Sequence, residues 1–189
     1  AMRSEGMPRR DFIESLGLGS LVAAGAAEAL AAEAPKKKWE PTTDRKVRVG
    51  IVGYGVCRFG AAFGFQDHPN VEIVAVSDLI PARRRRLQQV YKCEKAYESL
   101  EKLVLDPKVE AVAVFTGAPD HARHVVECMK HGKHVISAVP ACVTLEEAAQ
   151  LKEMKEKTGL KYMMAETSYY RAPCIFARQL WQAGKFGRF

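Results

Sequence analysis

The sequence predicts an α/β fold, a doubly wound parallel sheet, on three observations. Apolar, β-branched runs at residues 47–52, 71–78, 110–116, 134–138 and 161–166 alternate with segments of helical character, as in sheets built from strand–helix–strand crossovers. The first run ends in a glycine pair, Gly53-Tyr54-Gly55. The second, about 20 residues further on, ends in an acid, Asp78.

Residues 1–34 read as a targeting segment to be set aside from the fold. Pro8-Arg9-Arg10-Asp11-Phe12-Ile13 resembles a twin-arginine export motif, and a weakly hydrophobic run from Leu16 to Ala32 follows it. Ala32-Glu33-Ala34, or alternatively Ala29-Leu30-Ala31, offers a small-x-small cleavage site. Glu28 and the glycines argue against a permanent membrane span, and a loose amphipathic helix is the plainer alternative. The expectation is export by the twin-arginine translocase to a bacterial periplasm, a route that carries proteins already folded around a cofactor. Residues 35–45, proline-flanked and polar, form a linker.

The nucleotide-binding unit spans residues 46–168 in this reading. Strand 47–52 suits a position covered on both faces of the sheet. Gly53 allows a tight turn, and Gly55 removes the side chain that would hold a diphosphate off the backbone. A helix from about Val56 to Gln66 should then aim its free N–H groups at that phosphate, with Val56, Cys57 and Arg58 on the turn. A complete fingerprint has a third small residue at position 58, where this chain has Arg58. Cys57 lies where a helix start would stabilise a thiolate.

At the end of strand 71–78, the Asp78 carboxylate can accept hydrogen bonds from an adenosine ribose and would repel a 2′-phosphate. NAD is therefore favoured over NADP. Asp78 can equally cap the helix that starts at Pro81 and runs to about Lys92. Arg83 could lie beside the adenine or meet a 2′-phosphate, which keeps NADP as the second option.

Further on, a short strand at 93–97 and a helix at 99–105 precede strand 110–116. A helix from Asp120 to His131 closes at Gly132, and strand 134–138 follows. The next helix, Leu145 to Lys157, has Thr144 and Glu147 as a capping box and Gly159 as its stop. Strand 161–166 completes the alternation. Residues 169–189, with an amphipathic helix from Pro173 to Gly184, read as the start of a second, substrate-binding α/β domain in which the chain is truncated.

Composition narrows the function. The net charge of +7 raises nucleic-acid binding, but the dense cluster Arg83-Arg84-Arg85-Arg86 points around a helix in several directions and has no aromatic partners. A solvated helix face is the expectation, with no nucleic-acid partner. The five cysteines (57, 93, 128, 142 and 174) show neither a zinc spacing nor a disulfide framework, so no metal is expected.

Over residues 46–189 the chain resembles the Gfo/Idh/MocA family, named for glucose–fructose oxidoreductase and inositol dehydrogenase. The likeness rests on the Gly53-Tyr54-Gly55 turn, Asp78 and Thr116-Gly117-Ala118-Pro119-Asp120-His121. It also rests on Gly132-Lys133-His134-Val135 with a following proline, and on Arg171-Ala172-Pro173 through Gly184-Lys185-Phe186-Gly187. The resemblance implies a Rossmann domain followed by a substrate domain that often mediates homo-oligomers, and NAD(P)-dependent hydride transfer on a sugar or polyol. It adds Thr116, Gly117, Ala118, Pro119 and His121 to the cofactor contacts, together with the turn Ala138-Val139-Pro140. His121 then stands near the nicotinamide end or, alternatively, faces solvent at a helix start; His124, His131 and His134 read as surface or packing residues. Tyr169, Tyr170 and Arg171 sit where the family lines its interdomain cleft.

One departure bears on chemistry. Family dehydrogenases carry Glu-Lys-Pro where this chain has Ala138-Val139-Pro140, and Val139 cannot donate a hydrogen bond to a developing alkoxide. Branches similar to NAD-dependent α-N-acetylgalactosaminidases also lack that lysine and use the cofactor transiently, without net redox. Three readings follow: net oxidoreductase, glycosidase or lyase with transient redox, and non-catalytic nucleotide or sugar binder. The resemblance places the catalytic residues in the second domain, so none is assigned here.

Overall fold

The computed structural model describes residues 39–56, 58–62 and 64–185. The export leader expected at 1–34 and the thiol of Cys57 lie outside the described residues. Contacts divide the chain into two units, Ala1–Trp39 and Glu40–Phe189, and every element below belongs to the second.

Six strands form one parallel sheet: β1 (Val47–Val52), β2 (Val71–Ser77), β3 (Ala96–Tyr97), β4 (Ala111–Val114), β5 (His134–Ser137) and β6 (Tyr162–Met164). Their spatial order is β3-β2-β1-β4-β5-β6, two halves wound outward from β1, with the order reversing between β1 and β4. β1 pairs with β2 from Val47↔Val71 to Val52↔Ser77 and with β4 from Val49↔Ala111 to Val52↔Val114. These registers bring the carboxyl ends of β1, β2 and β4 level. The loops that leave them therefore meet at one edge.

Among the described residues, α1 (Pro81–Tyr91), α2 (Leu100–Leu103), α3 (His121–Lys130) and α4 (Leu145–Thr158) connect the strands, and α5 (Ala172–Gln182) follows β6. On one face of the sheet, Val52, Val112 and Val114 pack with Leu103, Val125, Met129 and Leu151, beneath α2, α3 and α4. On the other, Ile51, Val76, Ala113 and Phe115 pack with Leu87 and Tyr91 of α1. The predicted capping box of α4 is present, Thr144 accepting from the Glu147 N–H, and Gly159 ends the helix at φ 66°. None of the residues of α5 is buried.

One expected element is corrected. In place of a helix over Val56–Gln66, the described residues between β1 and β2 form two 3₁₀ turns, Phe59–Ala61 and Phe65–Asp67. Arg58 takes a left-handed conformation (φ 58°), and Gly64 another (φ 78°), so an α-helical run cannot pass through either. The bonds across this segment are short-range, with Ala61 N–H to Arg58 O and Ala62 N–H to Phe59 O, both at 3.0 Å. A diphosphate at this turn would therefore meet individual peptide N–H groups rather than the end of a long helix.

Candidate functional site

β1 delivers the chain to the carboxyl edge at Gly53, whose N–H donates to Ser77 O at 2.8 Å. Gly53 has φ 91°, and a Cβ there would stand 2.6 Å from Phe115 O, so the turn passes β4 only because no side chain is present. Gly55 (φ 79°) is bare backbone facing the same edge. The third glycine, absent at Arg58, is supplied two residues later. A Cβ on Gly60 would fall 2.0 Å from Gly53 O, and Gly60 N–H donates to Tyr54 O at 3.0 Å. Arg58 itself is exposed. The N–H groups of Gly55 and Val56 have no hydrogen-bond partner among the described residues.

Asp78 closes the turn from the second strand. Its Oδ2 accepts from Tyr54 N–H and its Oδ1 from Ile80 N–H, both at 2.8 Å, while its carbonyl accepts from Arg84 Nη1 at 2.8 Å. The carboxylate is buried. The N-cap of α1 is Ile80, with Pro81 in the first turn, so Asp78 braces the approach to the helix and does not cap it. Beside it the Ser77 hydroxyl is buried and has no hydrogen-bond partner among the described residues.

The third wall is the loop after β4. His121, the first residue of α3, is buried rather than facing solvent, with Nε2 2.9 Å from Thr116 O and Nδ1 2.6 Å from Pro140 O. Its ring lies between the Thr116 loop and the Val139-Pro140 turn, within hydrogen-bond distance of a carbonyl on each. His124, one helical turn on, places Nδ1 2.8 Å from Thr116 Oγ1 and Nε2 2.7 Å from Arg123 Nη2. Burial, then the Arg123 charge, pushes the His124 pKa below the usual histidine value. Arg123 is held in turn by Glu101 Oε1 at 3.1 Å and Asp120 Oδ1 at 3.4 Å. His131 pairs with Glu127 at the surface, and exposed His134 accepts from Lys161 N–H at 3.0 Å.

These walls enclose a cleft of about 300 Å³ at the carboxyl edge of the sheet. Of the residues expected from sequence, Gly53, Gly55, Val56, Asp78, Arg83, Thr116 and Gly117 line it. Arg58, Ala118, Pro119, His121 and Ala138-Val139-Pro140 do not, although His121 and Pro140 brace the loop that does. Val139 is 44% exposed, with no polar atom in its side chain. Ser77, Glu101, Arg123 and His124 line the cleft as well and were not anticipated as contacts. A histidine pair at i, i+3 directly after the Thr116 loop is the sequence signal that could have found His124. A second, apolar groove of about 720 Å³ lies beside β5 and β6, bounded by Phe59, Ile136, Met163, Tyr169 and Tyr170.

Comparison with known proteins places this geometry. Residues 47–166 match the model of the Gfo/Idh/MocA oxidoreductase family, described as an NAD-binding Rossmann fold. A glycosyl hydrolase family 109 protein of Bacteroides fragilis is 31% identical over 150 residues, 75% of this chain and 32% of that protein. A myo-inositol 2-dehydrogenase of Thermotoga maritima is 29% identical over 114 residues, 60% of this chain and 34% of that one. The crystal structure of a scyllo-inositol dehydrogenase from Lactobacillus casei with bound NAD(H) and scyllo-inositol superposes with a TM-score of 0.68. It is 21% identical, covering 76% of this chain and 43% of that one. The chain thus spans about a third of the length of the curated relatives it matches.

Proposed function

The chain belongs to the Gfo/Idh/MocA oxidoreductase family, and from that premise we propose that its cleft holds NAD and serves hydride transfer on a sugar or polyol. The observation that carries the reading is the unsatisfied edge itself: among the described residues, Gly55 and Val56 N–H groups without partners, a glycine surface and a buried, unpartnered Ser77 hydroxyl in one cleft. Buried polar groups are almost always paired in a finished protein, so the buried Ser77 hydroxyl, beside a turn that presents the Gly55 and Val56 N–H groups to the same cleft, calls for a polar ligand. The residues fit a dinucleotide. Gly55 and Val56 would hold the diphosphate through their N–H groups. Asp78 retains lone pairs beyond those given to Tyr54 and Ile80, and would accept from ribose hydroxyls. Its fixed negative charge disfavours a 2′-phosphate, which makes NAD the preferred cofactor over NADP. When bound, the cofactor supplies the hydride acceptor. The protein's own part is to position it and keep its diphosphate on bare backbone.

A second reading draws on the Val139 turn. An apolar, half-exposed Val139 offers no proton to a reacting alcohol, and a similar protein is a glycosyl hydrolase of family 109. Those two facts favour a cofactor used transiently and regenerated in place over net oxidation. Export of the folded, loaded protein, motivated by Arg9-Arg10, is compatible with either. Mass spectrometry of the chain purified from its host tests all of this together. We expect released NAD and a start near Pro35. NADP in its place would overturn the cofactor preference, and an empty protein with its leader intact would overturn both the cofactor and the export readings.

A further inference from the structure

We propose that His124 is a positioning residue which, held by Arg123, commits the Thr116 hydroxyl to donate into the cleft toward an acceptor oxygen of the bound dinucleotide. The inference rests on the dinucleotide reading for the ligand, but its first steps need only the protein.

A guanidinium has five N–H donors and no lone pair. With Arg123 Nη2 2.7 Å from His124 Nε2, that ring nitrogen must accept. The proton of a neutral ring is then on Nδ1, which faces Thr116 Oγ1 at 2.8 Å and donates to it. A threonine hydroxyl that already accepts still has its own hydrogen to give. Among the described residues Thr116 Oγ1 has no other partner, and both Thr116 and His124 line the cleft. The direction of each bond thus follows from the chemistry of the one before it, and the last donor is left for a ligand.

The relay is anchored at both ends. Glu101 and Asp120 hold the guanidinium from α2 and from the start of α3, and His121 fixes the Thr116 carbonyl. The charged and titratable groups that act on the ring are Arg123 and His121, which oppose its protonation, and Asp120 and Glu101, which favour it; burial, the largest influence, acts with Arg123 and His121 and the net effect lowers the pKa. A second proton on His124 would drive an Nε2–H against the guanidinium and break the sequence. Because the folded-state pKa is lowered, that break comes only as pH falls through a value below the ordinary histidine range.

The test has two parts. Nitrogen-15 NMR of the ligand-free chain should show His124 protonated on Nδ1; protonation on Nε2 overturns the relay whether or not any ligand binds. Calorimetric titration with NAD from about pH 8 to about pH 5 reads the consequence. Thr116→Val should lose about tenfold in affinity and Thr116→Ser should not. His124→Ala should weaken binding similarly. His124→Asn, whose amide nitrogen stands close to the Nδ1 position, should restore most of the loss and abolish the acid-sensitive limb of the profile. Thr116→Val binding like the unaltered protein, or an acid limb that survives in His124→Asn, contradicts the proposal. Failure of the unaltered chain to bind NAD at all overturns the dinucleotide reading and the ligand named here, which the NMR result distinguishes from failure of the relay.

Discussion

The loops that lead into β4 and β5 and the loops that leave β1, β2 and β4 treat their polar groups in opposite ways. At the leading end of β4 and β5 the buried Asp106 and Lys133 are both paired. Asp106 accepts from Tyr97 Oη at 3.0 Å, Lys108 N–H at 3.0 Å and Lys95 Nζ at 2.8 Å. Burial alone would raise its pKa, but these three partners outweigh it and hold the carboxyl below the usual range. Lys133, buried itself, spans the carbonyls of Asp106 at 2.9 Å and Val109 at 2.7 Å. At the leaving end, by contrast, Ser77 Oγ, the Gly55 and Val56 N–H groups and the Thr116 hydroxyl hydrogen are unspent among the described residues. One end uses its polar groups to hold the fold. The other leaves them open, which is what the proposed dinucleotide would use.

The largest effect should come from the glycine that makes the open end possible. Gly60→Ala puts a methyl group 2.0 Å from a backbone oxygen, with no flexible side chain to yield. We expect a loss of about 3 kcal/mol in denaturant unfolding together with loss of nucleotide binding. Next is the closed end. Lys133→Met deprives two buried carbonyls of their donor and should cost about 2 kcal/mol, less than the hydrogen bonds alone suggest because burial already disfavours the charged amine. NAD affinity, measured on the folded variant, should not change. If it does, the two ends are coupled and the contrast is broken. The smallest effect is the sharpest discriminator. Ser77→Ala removes a hydroxyl that makes no hydrogen bond among the described residues, so stability should hold within about 0.5 kcal/mol or rise. A fall in thermal stability well beyond that would show Ser77 to be a structural group like Lys133.

Much of this division was legible in the residues. β1 falls on Val47–Val52 as expected, and the Thr144–Glu147 capping box and the acid at the end of β2 stand where their spacing put them. Local rules of this kind are carried by neighbouring residues, so a sequence displays them. What the sequence did not display depends on contacts between distant segments. The crossover after Gly55 was expected to be helical because a glycine turn of this kind normally opens a helix, whereas the close approach of Gly60 to Gly53 and the left-handed Arg58 dictate 3₁₀ turns. Arg83, singled out from a run of four arginines, lines the cleft, while its neighbour Arg84 reaches back to the Asp78 carbonyl, a contact that the run alone does not reveal. His121 and His124 could not be sorted by position alone. Their roles are fixed by Pro140, nineteen residues away in sequence, and by Arg123 and Thr116.

Hydrogen–deuterium exchange of the full chain, with and without NAD, tests the contrast most directly. The account predicts slowed exchange at 53–60, 77–80 and 116–118, with the segments around Asp106 and Lys133 unchanged. Protection centred on the Asp106–Lys133 end, or NAD-dependent protection nowhere in the leaving loops, would contradict it.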